Sequence, residues 1–156
     1  MFKPEKILVP TDFSECEDQC SILAVKQAAG IAAQYGSEII LLHVVTGEVS
    51  KMPLFFLDDN KLDELKDKMM ENAEHELAQI KEKYLSGDNL KVTVKVREGV
   101  AYDEILKEEK ESGADLITIS SRGHSLLTDF FYGSTTEKVV RRATCSVLVV
   151  RKVIDR

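Results

Sequence analysis

Residues 38–45, Glu-Ile-Ile-Leu-Leu-His-Val-Val, constrain the fold more than any other stretch of the chain. A run this apolar, too short for a helix spanning a domain and lacking the polar alternation of a half-exposed strand, marks a strand buried on both faces, as in a parallel sheet covered by helices. Parallel neighbours need helical crossovers, so the flanking sequence must alternate strand with helix.

It does so throughout. Lys6 to Val9 forms a first strand that Pro10 stops, and Thr11-Asp12-Phe13-Ser14 leads toward a helix over residues 15–35, with Cys20, Leu23, Ala24, Ala28, Ile31 and Ala32 at helical spacing and Gly36 as its stop. After the second strand, residues 46–60 are irregular, contain Pro53 and the apolar cluster Leu54-Phe55-Phe56-Leu57, and read as a lid or contact patch. Residues 61–84 carry an apolar stripe through Leu62, Leu65, Met69, Ala73, Leu77, Ile80 and Tyr84, the pattern of a long amphipathic helix. Leu90, Val92, Val94 and Val96 alternate with polar residues, as on an edge strand, and Glu98-Gly99 closes that strand. A helix over 102–111, a strand over 116–119, a helix over 135–142 and a strand over 146–153 complete five strands and four helices. The expected class is α/β, one open, doubly wound, mainly parallel sheet of order 3-2-1-4-5, with residues 1–156 forming one domain.

In such a sheet ligands bind at the carboxyl ends of the strands, where chain order reverses, which here is between strands one and four. Asp12 leaves strand one; Ser120, Ser121, Arg122 and Gly123 leave strand four, and nine residues later Gly133 and Ser134 open a helix. Small residues and a helix start can present several N–H groups to one anion. Arg122 and His124 add side-chain donors. Ser134-Thr135-Thr136-Glu137 also has the form of a capping box, which would satisfy the helix's own N–H groups without any ligand.

Other classes fit poorly. The chain has 21 Lys and Arg against 27 Asp and Glu, a net charge of −6, which argues against a nucleic-acid partner. No apolar run approaches the roughly 20 residues of a membrane helix, and the first residues lack a signal-peptide pattern, so a cytoplasmic protein is expected. Cys16, Cys20 and Cys145 make neither a disulfide framework nor a zinc site and read as small buried residues. His43 reads as a satisfied core histidine and His75 as solvent-facing. Asp115 reads as a turn residue, and Asp103 and Glu104 as first-turn acids complementing a helix dipole. There is no P-loop, and Asp12 lacks the acidic cluster of a phospho-acceptor. The Pro10-Thr11-Asp12 loop lacks the Ser/Thr-Gly run of a flavin site.

Over nearly its whole length the chain resembles the universal stress protein family. The match rests on Ile7-Leu8-Val9-Pro10-Thr11-Asp12-Phe13-Ser14, Leu41-Leu42-His43-Val44, Gly113-Ala114-Asp115-Leu116-Ile117 and Ser146-Val147-Leu148-Val149-Val150. ATP-binding members carry glycine, two residues, glycine, nine residues, glycine and a hydroxyl residue. Here Ser120 stands at the first glycine, with Gly123, Gly133 and Ser134 in the others. The resemblance implies that Asp12 holds the ribose, Val44 lies near the adenine, and Gly123, Gly133 and Ser134 hold the phosphates. The expected binding set is Pro10, Thr11, Asp12, Val44, Ser120, Arg122, Gly123, His124, Gly133, Ser134 and Thr135, for ATP or its ADP and AMP relatives, with Mg2+ as an optional companion. With no lysine placed to polarise a transferred phosphate, the expectation is binding with slow or no hydrolysis. The resemblance also implies a homodimer built on residues 146–153. Two alternatives stand beside this reading: a nucleotide-free member working through dimer and partner contacts, and a slow ATPase or phosphotransferase using His124 or Ser134.

Overall fold

The computed structural model describes residues 1–13, 20–46, 58–121 and 134–151. Strand and helix alternate along the described chain as β1 (Lys6–Pro10), α1 (Cys20–Tyr35), β2 (Glu38–Val45), α2 (Asp59–Tyr84), β3 (Lys91–Glu98), α3 (Ala101–Ser112), β4 (Leu116–Ser120), α4 (Ser134–Arg142) and β5 (Ser146–Val150). All strand pairs are parallel and the order is β3-β2-β1-β4-β5, as the alternation predicts. The patch at Leu54 to Leu57, Cys16 and residues 152–153 of the predicted final strand lie outside the described residues, and Arg151 is described but stands beyond the end of β5.

The double-sided burial read from β2 is present and is shared by β1. Successive side chains on a strand face opposite ways. Ile7, Val9, Ile39 and Leu41 therefore pack under α1 and α2, against Ala24, Val25, Ala28 and Leu77. Leu8, Ile40 and Leu42 pack against Ile105 of α3 and Val139 of α4 on the other face. The half-exposed β3 occupies one sheet edge, as its alternation requires, and β5 the other.

Local chemistry sets the joints. Gly36, at φ 73°, ends α1 and donates its N–H to Ala32. Helix α2 starts two residues earlier than its apolar stripe suggests, because the Asp58 carboxylate accepts from Lys61 N–H at 2.9 Å. Asp115 is a tie between strands: its two oxygens accept from the N–H groups of Glu5 and Lys6 at 2.8 and 3.1 Å, fixing the entry to β1 beside β4. Glu104 does more than complement a helix dipole. It accepts from Arg97 on β3 at 2.8 Å and from Lys107 at 2.7 Å, within an ion network that locks α3 onto the sheet edge.

Candidate functional site

The carboxyl ends of β1, β2 and β4 open into a cleft of about 790 Å³. Its centre is the turn after β1. Thr11 extends the ladder by donating its N–H to Leu42 at 2.8 Å, and its hydroxyl accepts from Phe13 N–H at 3.3 Å. Phe13 sits at φ 60°, a left-handed conformation that a bulky side chain adopts only when its surroundings hold it. What holds it is His43 on β2, whose ring stacks on Phe13 with centroids 4.0 Å apart and 24° between planes. His43 Nδ1–H also donates to the Thr11 carbonyl at 2.8 Å. The histidine therefore grips residues on either side of Asp12 and leaves Asp12 exposed between them. Burial pushes the imidazole pKa below its ordinary value, against the raising effects of the Thr11 carbonyl, Asp12 and Glu76. A satisfied core histidine is what the apolar run around His43 implied; that it is the clamp on the β1 turn is not visible in the sequence.

Across the cleft, Ser120 ends β4 and Ser134 starts α4. The link between them comes from a residue the motif does not single out: the Thr136 hydroxyl, buried, donates to the Ser120 carbonyl at 2.9 Å and pins the first turn of α4 to the tip of β4. The capping box suggested by Ser134 and Glu137 is not the arrangement found, since the Glu137 carboxylate turns along the helix and pairs with Arg141 at 3.1 Å. The N-terminus of α4, with its partial positive charge, thus faces the cleft through Ser134, Thr135 and Thr136.

Of the residues singled out from sequence, Pro10, Thr11, Asp12 and Val44 line the cleft on the β1–β2 side, and Ser120, Ser134 and Thr135 on the β4–α4 side. Arg122, Gly123, His124 and Gly133 lie outside the described residues. Sequence reasoning missed the cleft's other contributors. Ser21 comes from α1, and Met69, Asn72, Ala73 and Glu76 come from one face of α2. Their spacing was the available signal, because positions three, four and seven apart share a helix face. It was obscured because Met69 and Ala73 also fit the core stripe. Ala101 and Ile105 of α3 supply apolar surface opposite. Among the described lining residues there is neither Lys nor Arg. Among the described residues no three His, Cys, Asp or Glu side chains converge to hold a metal ion, and no helix is long and apolar enough to cross a membrane.

A parallel sheet of this order is shared with known proteins. The universal stress protein family model matches residues 3–151. The chain belongs to that family. This universal stress protein is 34% identical over 159 residues to Universal stress protein MJ0577 of Methanocaldococcus jannaschii, covering 95% of each chain. The solved structure of MJ0577 matches with a TM-score of 0.76 at 31% identity, over 97% of this chain and 98% of that one. Universal stress protein UspA from Lactobacillus plantarum matches with a TM-score of 0.77 at 25% identity, over 97% and 100%. A universal stress protein solved in complex with cAMP shares the fold at a TM-score of 0.64 and 21% identity, over 96% and 98%.

Proposed function

We propose that this universal stress protein is a single-domain, cytoplasmic binding protein for ATP, with ADP or AMP as alternative occupants of the same cleft, and that it acts in stress signalling by binding rather than by turnover. The observation that carries the reading is the convergence on one switch-point cleft of an exposed carboxylate at Asp12 and a hydroxyl-rich helix start at Ser134 to Thr136. Asp12 suits the hydroxyls of a ribose, and the α4 N-terminus suits phosphate oxygens. The clamp of His43 on Thr11 and Phe13 supports it, since a carboxylate held in place before the ligand arrives loses less on binding. The sequence places no lysine where it would polarise a transferred phosphate, which favours binding over phosphoryl transfer. Any Mg2+ would be held mainly by the phosphates themselves. Ser120, standing where ATP-binding members carry glycine, contributes a hydroxyl at the same rim.

Val147 to Val150 are half-buried on an outer strand, so we further propose that two copies associate through β5. The test of the central reading is mass spectrometry of nucleotide released from the purified protein, followed by calorimetric titration with ATP. Wild type should bind, and Asp12→Ala should bind at least tenfold more weakly, the loss of about one charge-assisted hydrogen bond. Failure of wild type to bind at millimolar ATP would reject it in favour of the nucleotide-free alternative.

A further inference from the structure

The two ends of the cleft differ in charge and in what they leave unsatisfied. The β4–α4 end offers hydroxyls and a helix N-terminus. The α2 end offers Met69 and Ala73 as apolar surface, with Asn72 and Glu76 on the same helix face, and Glu76 is near enough to act electrostatically on His43. Asp12 stands on that side too. An anion is drawn to the first end and repelled from the second, so a ligand with one charged and one neutral end has a preferred direction. Strands β4 and β2 are separated by β1, roughly 10 Å from one to the other at ordinary strand spacing, so the two ends contact different parts of one small molecule.

The second observation is Ser21. It lines the cleft from α1, is 2% exposed, and its hydroxyl has no hydrogen-bond partner. Buried hydroxyls are nearly always satisfied, and an orphan at the wall of a cleft marks a group that a ligand or its bound water completes.

We infer that the α2 wall is a recognition surface for an amine-bearing heterocycle, with Glu76 accepting from its exocyclic N–H and Met69 and Ala73 covering a ring face, while Ser21, at the start of α1, completes a hydrogen bond to the same ligand. The inference rests on reading the cleft as a nucleotide site and adds the basis of base selection to it. A carboxylate only accepts, so it favours an amino substituent and repels a carbonyl oxygen at the same position.

Inosine triphosphate, which carries a carbonyl where ATP carries the amine, is the probe. Calorimetry should give wild type about tenfold tighter binding of ATP than of inosine triphosphate. Glu76→Ala, at an exposed position where folding is not at risk, should abolish that preference by weakening ATP while leaving or improving inosine triphosphate. Ser21→Ala should bind ATP several-fold more weakly yet melt, without ligand, no lower than wild type, because it removes an unpartnered buried group. Equal affinity of wild type for the two nucleotides, or a preference that survives Glu76→Ala, overturns the inference and leaves the nucleotide reading intact. Unchanged ATP affinity in Ser21→Ala overturns the role of that hydroxyl. Binding of neither nucleotide by wild type overturns both readings together.

Discussion

The outer edge formed by β3 and α3 and the cleft at the strand ends both gather polar side chains, and they do so in opposite ways. At the edge, Arg97 donates to Glu104 at 2.8 Å, to Glu108 at 2.7 Å and to Glu111 at 2.9 Å, while Lys95 reaches Glu108 and Lys107 reaches Glu104, each at 2.7 Å. Each of these three carboxylates meets a cation. In the cleft, the described lining contains no Lys or Arg, and the Ser21 hydroxyl has no partner. Polar density therefore does not mark function. The edge is complete in itself and serves to hold α3, whereas the cleft keeps a buried hydroxyl, that of Ser21, without a partner.

The largest expected effect follows from the completeness of the edge. Arg97→Leu should destabilise the protein by about 3 kcal/mol in urea unfolding, because it leaves Glu104 and the 1%-exposed Glu108 with fewer cations to offset their desolvation. ATP binding should stay as in wild type. The same network predicts a pH dependence. Lys107 and Arg97 hold Glu104 below the ordinary carboxylate range, and Arg97 does the same for Glu111. The unfolded chain therefore takes up these protons first as pH falls. This share of stability is present above about pH 4.5 and is lost below it, so wild type should weaken between pH 5 and 3 more steeply than Arg97→Leu. Loss of ATP binding in the variant would break the division between edge and cleft.

Glu109 is an intermediate case and should give the next largest effect. Its Oε1 accepts from Thr144 N–H and hydroxyl, both at 2.7 Å, and from Cys145 N–H at 2.8 Å, while Oε2 is buried without a partner. Burial pushes its pKa up, but those three donors outweigh it and hold the carboxyl below the usual range. Glu109→Ala should cost about 2 kcal/mol by orphaning the turn before β5. Burial and the Glu109 charge also push the Cys145 thiol up to about 12. Alkylation at Cys145, read by peptide mass, should accordingly be slow at pH 8 in wild type and faster in the variant.

These pairings explain what the sequence could and could not say. The β2 run and the strand–helix alternation fix the sheet order, because burial on both faces admits few alternatives. Pro10, Asp12 and Ser134 reach the cleft through local chain order at the strand ends. Arg97 and Glu108 are distant in sequence and look like solvated charges on an edge strand and a helix. Nothing local announces that they meet. Glu76 and Asn72 are hidden for a related reason: their helix face becomes a cleft wall only once α2 lies beside β2. Ser21 offers no pattern at all, since an unpartnered hydroxyl is visible only after its neighbours are placed.

His43 sharpens the comparison from the cleft side, with a smaller effect on stability and a larger one on binding. Replacing it with Gln removes the stack on Phe13 and changes the bond to Thr11, a loss of about 1 kcal/mol. Because Asp12 is held between the two gripped residues, ATP should bind several-fold more weakly. The folded state holds the imidazole below 6.5, so the unfolded chain protonates first as pH falls. Stability from keeping it neutral is therefore present above about pH 6.5 and is lost below it, and the melting temperature of wild type should fall from pH 7.5 to 5.5 more than that of His43→Gln. Equal slopes would show that the clamp, although formed, is not coupled to protonation.

The smallest effect tests whether burial, rather than pairing itself, separates the two regions. Lys66 of α2 and Glu98 of β3 pair at 3.4 Å at the same sheet edge as the Arg97 network, but their side chains are 46% and 45% exposed. Solvent screens such a pair and two long side chains lose freedom to form it, so Lys66→Ala should change stability by no more than about 0.5 kcal/mol, a change that added salt should shrink further. Beside the loss expected for Arg97→Leu, that contrast would tie the strength of the edge to its buried carboxylates. A loss near that of Arg97→Leu would mean instead that α2 and α3 draw comparably on ion pairs to hold the sheet, and that exposure is a poor guide to which polar groups this fold depends on.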